Sequence, residues 1–84
     1  MSNYGRLRAL DDILKERDKQ DEQWGGPDHD DTHDQWDWLD YIDHQKYRWV
    51  EVPNRGRETL VKIAALALAA IESIDRKEKS SANA

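Results

Sequence analysis

The sequence predicts an all-α fold on three observations. Three segments repeat polar and apolar residues at helical spacing, glycine and proline fall between them, and the last is almost wholly apolar from Leu60 to Ile71. The expected architecture is a three-helix antiparallel bundle or hairpin, one domain over residues 1–84. Its third helix is expected to drive self-association.

The first helix is expected over about 5–24. Leu7, Leu10, Leu14, Arg17, Asp21 and Trp24 follow steps of three and four, which form one stripe. That stripe is apolar only at its ends, and Glu16 and Gln20 lie along its edge. Gly25-Gly26-Pro27 stops the helix, because glycine frees the backbone and proline cannot continue it. Residues 28–34 then read as an acidic, histidine-rich connector. Thr32 with Gln35 matches a capping box, and Asp34 competes for the cap.

The second helix is expected over about 35–48, with Trp38, Leu39, Tyr41, Ile42 and Gln45 inward. Pro53 discourages helix just before it. The third helix is expected over about 56–78, followed by a frayed tail at 80–84. Only Lys62 is polar between Leu60 and Ile71, and a helix apolar around its circumference is usually buried on several sides. Two other helices cannot cover it, so a homo-oligomer is expected, and its many alanines allow close helix approach.

Composition sharpens this reading. Of 84 residues 37% are charged, and Leu, Ile, Val and Phe number only 15, close to the range of disordered chains. Four Trp and three Tyr offset that, and seven of the 15 aliphatics lie between Leu60 and Ile74. A core this small usually needs a metal, a disulfide or a partner chain. With no Cys, a metal or self-association is left.

The net charge of −5 argues against general binding to duplex nucleic acid, which needs a basic face. Residues 11–43 carry 13 of the 18 acids and only three bases, whereas residues 44–84 carry eight bases and five acids. An acidic half beside a basic half suits a metal with a phosphorylated ligand, and equally a solvated acidic surface. The N-terminus has no apolar run of the kind a leader carries. The longest apolar stretch, Ile63–Ile71, has nine residues. A membrane span needs about 20. The chain is therefore expected to be cytoplasmic, with no membrane partner.

Four constellations are candidates for chemistry. His29, Asp30, Asp31 and His33 offer imidazole and carboxylate ligands for a divalent ion such as Mg, Mn or Zn. The same residues also suit helix capping. Glu16, Arg17 and Gln20, with Asp21, place polar groups on an inward stripe, where they must pair with each other or with a ligand. Asp37, Asp40 and His44 share a helix face that is a ligand set or simply polar. Arg55, Arg57 and Lys62 gather at the start of the third helix, where amides and fixed charge both favour phosphate. Trp36, Trp38, Tyr47 and Trp49 are candidate stacking surfaces for a base, although Trp38 and Trp49 read better as core in a chain without Phe, and Trp24 is a further candidate ligand-binding residue. Nothing supports nucleophilic catalysis: there is no Cys, and the serines have no local base.

Two blocks carry a resemblance. Glu16-Arg17-x-x-Gln20, Trp24-Gly25 and His29-Asp30-Asp31-x-His33 resemble a recurrent pattern in small phage and prophage helical proteins. Arg57-x-x-Leu60-Val61-Lys62-Ile63-Ala64-Ala65-Leu66, continuing through Ala70-Ile71-Glu72 to Asp75-Arg76, resembles the closing helix of the same proteins. Those proteins are loosely grouped with all-α, MazG-like nucleotide pyrophosphohydrolases, whose Glu-Glu-x-x-Glu and later Glu-x-x-Asp hold magnesium. This chain has no Glu-Glu-x-x-Glu, although Glu72-Ser-Ile-Asp75 keeps the later spacing.

Small size, the apolar third helix, the Arg55, Arg57 and Lys62 cluster and the aromatics lead to the expectation of a binding module, which the resemblance makes phage-type and places in a host cytoplasm: it would hold a nucleotide or cyclic nucleotide signal and counteract host defence, and the absent Glu-Glu-x-x-Glu favours binding without turnover. One alternative is a metal-dependent nucleotide phosphohydrolase using Glu16, Asp30, Asp31 and Asp21. Another is an inhibitor of a host defence protein, because the 28–43 stretch has seven Asp and no Lys or Arg and would mimic nucleic acid.

Overall fold

The computed structural model describes residues 3–82, with side chains through residue 79. Among them the fold is all-α, with no strand. The helices are α1 (Tyr4–Trp24), α2 (Gly26–Asp30), α3 (Gln35–Glu51) and α4 (Gly56–Ala82), with a 3-10 turn at Pro53–Arg55. There are four α-helices rather than three, because α2 was expected as connector.

α1 ends at Gly25, whose φ of 105° lies in the left-handed region and whose N–H donates to the Asp21 carbonyl at 2.9 Å. Pro27 then stands in the first turn of α2, where its fixed φ suits a helix and its missing N–H costs nothing. Thr32 does not cap α3. Its hydroxyl donates to the His29 carbonyl at 2.7 Å and closes α2 instead. Asp34 caps α3: its carboxylate accepts from the Asp37 N–H at 2.9 Å, and the Asp37 carboxylate accepts from the Asp34 N–H at 3.0 Å.

α3 runs three residues past its expected end, to Glu51. The Trp49 indole N–H donates to the Pro53 carbonyl at 3.3 Å, and its ring lies over Gly56, which ties the turn to the start of α4. α4 extends to Ala82, so residues 80–82 of the expected frayed tail are helical. Residues 83 and 84 lie outside the described residues.

α4 is the spine. Asp12 of α1 pairs with Arg57 near its start, while Asp31 and the His33 carbonyl reach Ser73, Arg76 and Lys77 near its end. α1 therefore runs along α4 in the same direction, and α3 returns against it. Both long helices lie on α4, but their backbones do not approach each other.

The inward side of α1 is rotated from the expected stripe. Ala9, Asp12, Ile13, Glu16, Arg17, Gln20 and Asp21 are the more covered positions, so Arg17 and Asp21 of the expected stripe are covered, whereas Leu7, Leu10, Leu14 and Trp24 are about half exposed. In α3, Trp38 is buried as expected, while Leu39 and Tyr41 stay largely open. The apolar residues buried among the described ones are Trp38, Ala65 and Ala69, joined by polar Arg17, Asp30, Thr59 and Ser73. The expected burial of α4 on several sides is not met within one chain: Leu60 is 48% exposed, Ile71 55% and Ile74 52%.

Candidate functional site

Because α1 and α3 share a floor while their backbones stand apart, a groove of about 510 Å³ lies between them. Glu16, Lys19, Gln20, Gln23 and Trp24 form one wall. Tyr41, His44, Gln45 and Arg48 form the other, with Trp38 at its base. Lys62, Leu66 and Ala69 make the floor, and His29, Asp30 and His33 close the end. A shallower depression continues past Glu16, Lys19 and Lys62 toward Arg57.

Aromatic rings run along the closed end. Trp24 stacks on His29 at 6.4 Å, and His29 meets the His33 edge at 4.7 Å. His33 in turn meets Trp38 at 5.0 Å and Tyr41 at 5.2 Å. Edge-to-face contacts of this kind fix ring orientation; Trp24 and Tyr41 stay exposed, whereas Trp38 is buried.

A cation stands on each surface of the groove: Lys19 on the α1 wall, Arg48 on the α3 wall and Lys62 on the floor. Lys62 lies 3.9 Å from Glu58, too long for a hydrogen bond. The acids of the groove are Glu16 and Asp30.

Beneath the closed end lies a charge network. Arg17, 6% exposed, donates to Asp21 at 2.8 Å and to Asp30 at a long 3.4 Å. Its Nε, 3.6 Å from Glu72, is buried without a hydrogen-bond partner. Burial pushes the Asp30 carboxyl above its ordinary value, and Arg17 pulls against that. Asp31 behaves oppositely. Arg76 donates to it at 2.7 Å and Ser73 at 2.8 Å, and these hydrogen bonds hold its carboxyl below the ordinary value.

The structure thus brings together Glu16, Gln20, Trp24, Lys62, His29, Asp30 and His33 of the expected residues. It places the others elsewhere. Arg17 is under the site, in the network. Asp31 faces α4, so the His29–His33 segment is split between two surfaces. Arg57 is paired with Asp12 at 2.8 Å, Arg55 does not line the groove, and Trp36 is 68% exposed outside it. Of the third constellation His44 lines the groove, while Asp37 belongs to the α3 cap. Among the described residues no group of three or more His, Asp or Glu is gathered as a metal site.

Sequence reasoning missed Lys19, Gln23 and Arg48. A signal was present. Glu16, Lys19, Gln20 and Gln23 are spaced i, i+3, i+4 and i+7, and so are Tyr41, His44, Gln45 and Arg48. Each set is one helical face, and the two faces look at each other.

Comparison with protein-family models, curated proteins and solved structures gives no match for this chain. Among the described residues no helix is long and apolar enough to cross a membrane.

Proposed function

We propose that the chain is a binding module that holds a nucleotide or cyclic nucleotide in the α1–α3 groove without turning it over. The observation that carries this reading is the pair of facing polar stripes, with Lys19, Arg48 and Lys62 lining the same groove as the Trp24, His29, His33 and Tyr41 rings. Phosphate takes charge-assisted hydrogen bonds from lysine and arginine, and a base stacks on aromatic faces. The groove volume of about 510 Å³ lies within the usual range for small-molecule sites. Holding rather than hydrolysis is supported by Asp30 and Asp31, which are turned to Arg17 and Arg76. Capture of a host signal by a phage-type protein is the role this chemistry would serve.

Titration calorimetry against a panel of nucleotides and cyclic dinucleotides tests the reading. Binding is expected, with no phosphate released, and Arg48→Ala is expected to weaken it about tenfold or more. Absence of heat at high micromolar ligand would sink it.

A second reading has one observation in its favour: Asp30, with its raised carboxyl, lines the same groove as Glu16. A phosphohydrolase is the conclusion instead if phosphate or pyrophosphate is released with magnesium or manganese and Asp30→Asn abolishes the release.

A further inference from the structure

α4 turns a second, quite different face away from the groove. Leu60, Ala64, Ala67, Ile71, Ile74 and Glu78 follow alternating steps of four and three. That period is 3.5 residues, the spacing of a coiled-coil seam rather than of an ordinary buried helix face. From Leu60 to Ile74 the seam is uncharged and about 21 Å long at the helical rise. Its large residues are about half exposed in the single chain.

We propose that this seam is the interface of a homodimer, in which α4 of one chain packs antiparallel against α4 of a second copy. Three features select a second copy. The order of sizes is self-complementary. With a two-fold axis at Ala67, Leu60 of one copy meets Ile74 of the other, and the small alanines meet at the centre, where the helices come closest. An isologous contact requires this kind of self-matching. The ends match electrostatically as well: the same register brings Glu78 of one copy to the α4 N-terminus of the other, beside the Trp49 ring that covers Gly56, where an acid is favoured. Finally, the chain exposes 6590 Å², against about 5,200 Å² for a compact monomer of its mass. The surplus exceeds the roughly 800 Å² that each partner contributes to a standard interface.

The test uses the full chain. Light scattering after size exclusion is expected to give twice the 9.9 kDa chain mass, falling to one chain mass on dilution. Ala67→Glu is expected to give the single mass at concentrations where the parent is dimeric. The absence of native cysteine provides a second measurement that does not depend on that variant folding. With a short bifunctional maleimide, Ala67→Cys is expected to cross-link to itself. Leu60→Cys alone is not, because its copies lie at opposite ends of the seam; mixed with Ile74→Cys it is expected to cross-link. A parent monomeric at about 100 μM overturns the proposal and leaves the seam to a different protein. Self-linking of Leu60→Cys equal to that of Ala67→Cys overturns the antiparallel register. A dimer that survives Ala67→Glu with unchanged mass places the interface on another face.

Discussion

Arg17 shows how one side chain organises the closed end of the groove. Among the described residues it is the base that donates a hydrogen bond to Asp30, and both are buried. Arg17→Ala would leave that carboxylate unpaired, at a cost of about 3–5 kcal/mol. Urea unfolding is expected to show this loss at neutral pH. It is expected to shrink in acid, where Asp30 takes up a proton. The two adjacent aspartates oppose each other in their pH dependence. The Asp30 carboxyl lies above its ordinary value of 3.8, so its burial costs stability at neutral pH, and that cost fades as pH falls through its raised value. The Asp31 carboxyl lies below 3.8, so its contribution is complete above that pH and is lost as pH falls below it. Unfolding midpoints across this range should therefore lose their low-pH fall in Asp31→Asn and their higher-pH penalty in Asp30→Asn. At Gly56 the constraint is steric. A Cβ there would sit 2.6 Å from the Trp49 indole nitrogen, so Gly56→Ala is expected to displace the ring and cost about 1–3 kcal/mol, visible in tryptophan fluorescence.

At the scale of the element, caps and breakers carry the local design. Asp34→Ala removes one half of the reciprocal cap on α3 and is expected to cost about 1 kcal/mol, with helicity lost at that end by circular dichroism. The long helices were legible because their periodicity and stop signals are local. Gly25 ends α1 as its sequence says, and Pro53 separates α3 from α4. α2 was not legible, because an acidic run after Gly-Gly-Pro reads as loop unless Pro27 is credited with starting a helix. The inward face of α1 was misread for a related reason. The leucines mark the apolar ends of the stripe, but Arg17 in its middle finds Asp21, Asp30 and Glu72, and that network takes the buried position. The candidate site was half legible. Glu16, Gln20, Trp24 and Lys62 were visible as odd residues on apolar or glycine-flanked patterns. Lys19 and Arg48 look like ordinary surface cations until the two helices that carry them, 29 positions apart at these residues, are seen to face each other.

For the whole molecule, the apolar residues buried among the described ones reduce to Trp38, Ala65 and Ala69. The Cα radius of gyration, 14.4 Å, exceeds the roughly 12 Å of a compact chain this long. If two copies pair along the α4 seam as proposed, association adds burial to this small interior and the melting temperature rises with protein concentration. Differential scanning calorimetry over a hundredfold concentration range is expected to show that rise.

The separation of α1 from α3 has a mechanical consequence. A trough whose wall backbones stand apart has its width set by its base. The α1 side is held by its contacts with α4, among them Arg57 to Asp12, and its joint is the pair of positive-φ glycines Gly25 and Gly26. Among the described residues the α1 and α3 backbones do not approach each other. A molecule spanning Lys19 and Arg48 would then act as a cross-brace between the two walls. Selection would fall on the distance between a ligand's anionic groups as much as on the identity of its rings.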